Sequence, residues 1–238
     1  MLMTYALDHK SYEDIVLQLT PSNDTAVAGV DYSPIVQVST DAGLSWNTSS
    51  VVSIAAGTAT ILARVPIIDD DVYEPSKCFT VTATRTSGTT SNLNCTSTIT
   101  IIDNDPVPTL SVNNITVDVA NTTDAIFDVV LSGKSSTDTT FQLATQSVTA
   151  VLGTHYGNVI SVSTDNGATW KTQNTLTIPA TMTQAKVKIP VLVSSVSGTD
   201  TNTPTDIRFN LVATKLTGYT SNTSSIGTCT VIEHTQSL

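Results

Sequence analysis

The chain has 238 residues, room for one large domain or two of medium size, and carries 20 acids against 10 bases for a net charge of -10. That balance excludes clustered phosphate binding, and so nucleic acid as a partner, and it argues against anionic membrane surfaces. It suits a solvated extracellular protein, or one that takes up cations.

The opening "MLMTYALDHK" has no basic start followed by an apolar core, so it does not read as a signal peptide. No apolar run approaches the roughly 18 residues of a transmembrane helix, so no membrane insertion is expected. Apolar alternation then marks strand after strand: "DIVLQLT" (14–20), "SVVSI" (50–54), "TILARVPII" (60–68), "CFTVTAT" (78–84) and "STITII" (97–102). Pro106 and Pro108 in "IIDNDPVPTLSV" cannot donate ladder hydrogen bonds and hold the chain extended, which places a domain boundary there: 1–106 and 107–238. The strands resume with "LSVNNITVDV" (110–119), "DAIFDVVLS" (124–132), "TFQLAT" (140–145), "NTLTIP" (174–179), "AKVKIPVLV" (185–193) and "IRFNLVAT" (207–214). Turn signals such as "TDAG", "SGTT", "TDNG" and "LTGY" separate them. About seven short strands per domain predict an all-β fold of two tandem β-sandwiches.

The chain also repeats itself. "AVAGVDYSPIVQVSTDAGLSWNT" (26–48) aligns with "AVLGTHYGNVISVSTDNGATWKT" (150–172) at an offset of 124 that holds to Pro66 and Pro190. After about six extra residues the register resumes at an offset of 130, pairing Phe79 with Phe209 and "TII" (100–102) with "TVI" (230–232). This is a tandem duplication. Trp46 and Trp170 occupy matched positions, either as carbohydrate-stacking platforms or as packing for their own turns. Cys78 and Cys95, on consecutive predicted strands, read either as a disulfide or as two half-buried small side chains.

One stretch asks for a special explanation. In "IIDDDVYE" (67–74) an apolar run ends in Asp69, Asp70 and Asp71, with Glu74 close behind. Like charges this close repel one another, so they stand either in water or around a cation. Calcium takes six to eight hard oxygens in flexible geometry, and grouped carboxylates supply them. The closing "IIDND" adds Asp103, Asn104 and Asp105.

The order "AVAGVDY", "IIDDDVYE" and "TITIIDND" resembles the Calx-beta family over most of residues 10–105. The resemblance implies an immunoglobulin-like sandwich. The family occurs in sodium–calcium exchanger regulatory loops, cell-surface proteins and large bacterial adhesins, and its acidic loops bind Ca2+ at one pole. Carried over by position, it implies a calcium role for Asp31, Asp70, Glu74, Asp103, Asn104 and Asp105, with Asp69 and Asp71 as further candidates. In the second copy His155 replaces Asp31, "SSVSGTDTNTP" replaces the acidic loop, and Glu233, His234 and Thr235 replace the closing acids. That copy reads as the same fold with its calcium cup dismantled, and His155 as a turn residue.

A second departure lies at the start. "LSVNNITVDV" has no counterpart in copy one, so the expectation is either a longer native chain or a strand donated by a neighbouring molecule. Without it, part of the first core should lie open.

No G-x-S-x-G, P-loop, G-x-G-x-x-G or H-E-x-x-H motif is present, and no enzyme is expected. The N-x-S/T matches at Asn47, Asn94, Asn114, Asn121 and Asn222 fit chance in a Thr-rich chain. The resulting expectation is a calcium-rigidified structural or adhesion module at the cell surface or outside the cell, with neighbouring repeats or subunits and a protein or carbohydrate as partners. The alternative is a calcium-sensing regulatory or receptor ectodomain.

Overall fold

The computed structural model describes residues 1–192 and 207–232. In chain order its strands begin β1 (Leu2–Ala6), β2 (Ile15–Asn23), β3 (Gln37–Ser39), β4 (Asn47–Thr48), β5 (Val51–Ile54), β6 (Thr60–Arg64), β7 (Val72–Tyr73), β8 (Lys77–Ser87) and β9 (Asn94–Ile101). They continue with β10 (Leu110–Val112), β11 (Ile115–Asp118), β12 (Asp124–Leu131), β13 (Lys134–Ser135), β14 (Thr139–Ser147), β15 (Ser161–Ser163), β16 (Lys171–Thr172), β17 (Thr175–Ile178), β18 (Gln184–Pro190), β19 (Ile207–Thr217) and β20 (Ser224–Ile232). Among the described residues no helix is long and apolar enough to cross a membrane. The chain forms two compact units, one of residues 1–70 and 75–103, the other of residues 71–74 and 104–238.

In unit 1 the sheets run β1-β6-β3-β4 and β5-β2-β8-β9. Period-2 alternation builds the core: Ile15, Leu17 and Leu19 of β2 and Phe79, Val81 and Ala83 of β8 face inward, against Ile61 and Ala63 of β6. Tyr32 stacks on Phe79 with ring centroids 3.9 Å apart. At the far end of β8, Gly88 has φ +80°, and a Cβ there would lie 2.6 Å from the Asp14 carbonyl oxygen, so a side chain would be excluded by sterics as well as by backbone conformation.

Unit 2 repeats this plan with two additions. Its sheets run β10-β12-β18-β15-β16 and β11-β20-β19-β14-β17, with a small β13-β7 sheet beside them. Tyr156 stacks on Phe209 at 4.3 Å, as Tyr32 does on Phe79. The additions are β10, which pairs antiparallel with β12, and β11, which pairs parallel with β20. A single stretch of chain thus serves both sheets and buries Leu110, Val112 and Val117.

Among the described residues of unit 1 nothing occupies these two positions, and β1 and β9 are outer strands. Part of the core beside these edges is covered by unit 1's own residues. Met3 and Tyr5 stand where unit 2 has Phe127 and Val129, and they are only 7% and 6% exposed. The larger Tyr5 reaches Ser97, and burial, followed in size by that hydrogen bond, moves its hydroxyl pKa to a net value above the ordinary range.

The cysteines do not pair. In the β8–β9 register Cys78 stands opposite Thr100 and Cys95 opposite Ala83, five positions apart, or about 16 Å along the strand. The hairpin turn sets that register, and spacing in sequence does not reveal it.

The matched turns "STDAG" and "STDNG" are built alike. Ser39 Oγ donates to Asp41 Oδ1 at 2.7 Å and Ser163 Oγ to Asp165 Oδ1 at 2.6 Å. The residue after each aspartate, Ala42 and Asn166, has φ 59°. The tryptophans pack onto their turns: the Arg64 guanidinium lies 4.2 Å from the Trp46 ring and the Lys188 ammonium 4.7 Å from that of Trp170. These half-buried rings therefore each carry a cation of their own sheet on one face.

Hydrogen bonds from Ser45 and Ser39 hold the Asp41 carboxyl at about 2. A depressed folded pKa stabilises above the unfolded value, near 3.9, and that support is lost as pH falls through about 2. Asp41→Asn is therefore expected to flatten the acid limb of unit 1 unfolding between about pH 4 and pH 2. An Asp41 carboxyl titrating near 4 by NMR would contradict this.

Candidate functional site

The predicted ligands start from the loop at residues 26–32. Asp31 is 8% exposed and braces this loop: its Oδ2 accepts the Val27 N–H at 2.6 Å, while its own N–H donates to the Val27 carbonyl. Asn23 Oδ1 accepts both the Ala28 N–H and the Tyr32 hydroxyl, so the aromatic stack and the loop lock together. The Asp31 carbonyl takes the Ile68 N–H at 3.0 Å, so that Asp69 and Asp70 leave from beside it.

Lys77 completes this end of unit 1. Its ammonium donates to Asp31 Oδ1 at 2.8 Å, with the two side chains 22% and 8% exposed. Lys77 also stands opposite Ile101 in the β8–β9 register, which carries Asp103 to the same end. Strand register thus brings the segments that lead to Asp69, Asp70 and Asp103 to the end of unit 1 that holds Asp31, where Lys77 supplies a positive charge. Sequence reasoning missed Lys77, because its pairing with a residue 46 positions away is set by strand register alone.

The rest of the acidic stretch belongs to unit 2. Asp71 makes a bidentate ion pair with Lys134 at 2.7 and 2.8 Å, and that hydrogen bond and charge hold its carboxyl below the usual range. Val72 and Tyr73 form β7, parallel to β13, with the Ser136 N–H donating to the Tyr73 carbonyl at 3.0 Å. The Tyr73 ring meets Tyr219 edge-on at 5.3 Å. Glu74, Asn104 and Asp105 lie in the same unit.

Among the described residues no group of three or more His, Cys, Asp or Glu side chains is gathered to hold a metal. The donor chemistry fits calcium, since the predicted residues offer carboxylate and amide oxygens only. Asp31 and Asp71 are each matched by a lysine ammonium group.

In the second copy His155 takes over the brace of Asp31: its Nδ1 accepts the Val151 N–H at 2.8 Å, which requires the Nε2–H tautomer. Its carbonyl accepts the Leu192 N–H at 2.9 Å, as that of Asp31 accepts Ile68. His155 is a turn residue here. Asp200, Asp206, Glu233, His234 and Thr235 lie outside the described residues.

The Calx-beta domain model matches residues 7–105 and, a second time, residues 103–208. The chain belongs to the Calx-beta family. Its two copies are therefore tandem Calx-beta domains of immunoglobulin-like fold, and the second match extends the family to the copy whose acidic loops are replaced.

No curated protein matches the chain. Solved structures similar to it include the calcium binding domain CBD12 of CALX1.1, 14% identical over 92% of this chain and 75% of that one, with TM-score 0.36. Another is CfaE, the adhesive subunit of the CFA/I fimbria of enterotoxigenic Escherichia coli, 11% identical over 99% and 94%, with TM-score 0.40. A third is the CupB6 tip adhesin from Pseudomonas aeruginosa, 10% identical over 98% and 91%, with TM-score 0.35. Calx-beta membership fits an adhesion or calcium-binding module, in a family whose domains are generally non-catalytic.

Proposed function

We propose that the chain is a calcium-rigidified structural module of an extracellular or cell-surface adhesin or filament, which works by holding neighbouring repeats or subunits in line. The observation that carries this reading is the asymmetry of the two Calx-beta copies. The first keeps Asp31, Asp69, Asp70, Asp71, Glu74, Asp103, Asn104 and Asp105, whereas the second keeps the fold without most of them. Within unit 1, calcium would be held by the carboxylates of Asp31, Asp69, Asp70 and Asp103. Bound there it supplies a divalent cross-link between acidic segments that otherwise repel one another. Neighbouring chains associate through strand pairing at the open edges of unit 1.

Lys77 opposes calcium at Asp31, because both are cations seeking the same carboxylate. Its removal leaves Asp31 buried and unpaired in chelator but hands it to calcium when the ion is present. Lys77→Met is therefore expected to lower apo stability and to raise calcium affinity. Calorimetric titration of the parent chain and this variant tests the reading. No calcium heat in either protein rejects it, and weaker binding in the variant would make Lys77 part of the site rather than its competitor.

A further inference from the structure

The turn after β19 in unit 2 is a clamp for an incoming strand. The Thr220 hydroxyl donates to the Asn222 carbonyl at 2.6 Å, and Asn222 Nδ2 donates to the Ser224 carbonyl at 3.0 Å, which fixes the amide. So held, Asn222 grips both backbone groups of Leu110. Its Oδ1 accepts the Leu110 N–H at 2.9 Å, and its Nδ2 donates to the Leu110 carbonyl at 3.0 Å. The Ser221 N–H donates to the Pro108 carbonyl at 2.8 Å, and the Ser221 and Thr109 hydroxyls meet at 2.7 Å. The chain then crosses from β10 to β11 at Asn113 and Asn114.

The same turn is present in unit 1 as Gly88-Thr89-Thr90-Ser91-Asn92. The Thr90 hydroxyl donates to the Asn92 carbonyl at 2.5 Å, and Asn92 Nδ2 donates to the Asn94 carbonyl at 3.0 Å. The clamp is thus built and oriented, but no strand lies in it among the described residues. The apolar surface beside it is correspondingly uncovered. Leu7 is half-buried where Leu131 is 3% exposed, and Ile101 is half-buried where Val231 is 2% exposed.

We propose that the edges of β1 and β9, with the Thr90-Ser91-Asn92 clamp, form a receptor for an extended strand from another polypeptide, of the chemistry of residues 108–117. That chemistry is a backbone N–H and C=O pair for Asn92, a Leu-x-Val pair for the face beside Leu7, and a short polar crossing. The inference rests on the reading above that the partner is a neighbouring polypeptide, and it names what that partner presents. A second copy of this chain is not the donor, because its one described segment of this kind is already seated in its own unit 2.

The crossing point sets a limit on the ligand. In unit 2 the strand passes over Gly227, where a Cβ would come within 2.3 Å of the Asn113 carbonyl oxygen. Unit 1 has Ser97 at that position, in contact with Tyr5. The incoming strand must displace Tyr5 from Ser97 or cross farther out, and Ser97→Gly removes that obstacle.

The test uses the whole chain and the synthetic peptide of residues 107–118, VPTLSVNNITVD, in chelator, so that its outcome is independent of calcium. Unit 2 holds its own segment in cis at high effective concentration, so dilute peptide does not displace it. Saturable one-to-one binding is expected, weakened at least tenfold by Asn92→Ala, strengthened by Ser97→Gly, and lost with a peptide carrying Leu110→Asp and Val112→Asp. No saturation of the parent chain at millimolar peptide overturns the proposal, as does binding that Asn92→Ala leaves unchanged. Self-association of the chain that the peptide displaces would name a second copy as the occupant and overturn the assignment to a separate polypeptide.

Discussion

Calcium is expected to raise the unfolding temperature of unit 1 and to leave that of unit 2 where it is. An ion bound only by the folded state stabilises it by mass action, by about 2.7 kcal/mol when free calcium stands a hundredfold above Kd. For a domain of roughly 100 residues that corresponds to a rise of about 10–20 °C. Asp70→Ala, which removes a carboxylate from the centre of the acidic stretch, should abolish most of the rise. Asp206→Ala, in the copy without that stretch, should leave it intact. Scanning calorimetry of the three proteins in calcium and in chelator separates these outcomes. Identical melting of the parent chain in both media would remove the metal from the account, and equal losses from the two substitutions would mean that the second copy also binds.

Phe79→Ala is expected to cost unit 1 about 3–5 kcal/mol, the usual range for deleting a fully buried aromatic side chain. Phe79 is 0% exposed, sits near the start of β8 and carries the Tyr32 ring at 3.9 Å. The loss should spread to the proposed metal pole, because Tyr32 follows Asp31 directly and its hydroxyl ties the loop to Asn23. Calcium affinity should therefore fall along with stability. Phe209→Ala should destabilise unit 2 to a similar degree and leave calcium affinity alone. Chemical denaturation gives the first quantity and calorimetric titration the second. A Phe79→Ala chain that binds calcium as tightly as its parent would show that the stack does not support the site.

The duplication and the all-β plan were legible because both rest on local patterns. The offset of 124 aligns Ile54 with Ile178, and both prove to be buried core residues in corresponding strands. What stayed hidden depends on which residues meet across strands. The ion pair of Lys77 with Asp31 is an accident of register that no local spacing announces. Residues 71–74 read as one loop with 67–70, yet they pack with Lys134 and Tyr219 of unit 2, since two residues of β7 find their partners in β13. The Asn92 clamp was unreadable for a different reason. Its meaning appears only in the other copy, where the same three residues hold something.

The brace across the 26–32 loop has a consequence for how such a chain diverges. The Val27 N–H takes a carboxylate oxygen and the Val151 N–H an imidazole nitrogen, at 2.6 and 2.8 Å, and the two loops keep the same hydrogen bonds around them. Architecture therefore requires only an acceptor at this position, whereas a cation requires an anion. The two demands can be selected separately. A duplicated copy released from the second is free to accumulate changes while still satisfying the first, with no badly folded ancestor on the way. Along an array of such copies, stiffness would then be a property assigned joint by joint, and a lineage could soften or harden chosen joints without redesigning the units between them.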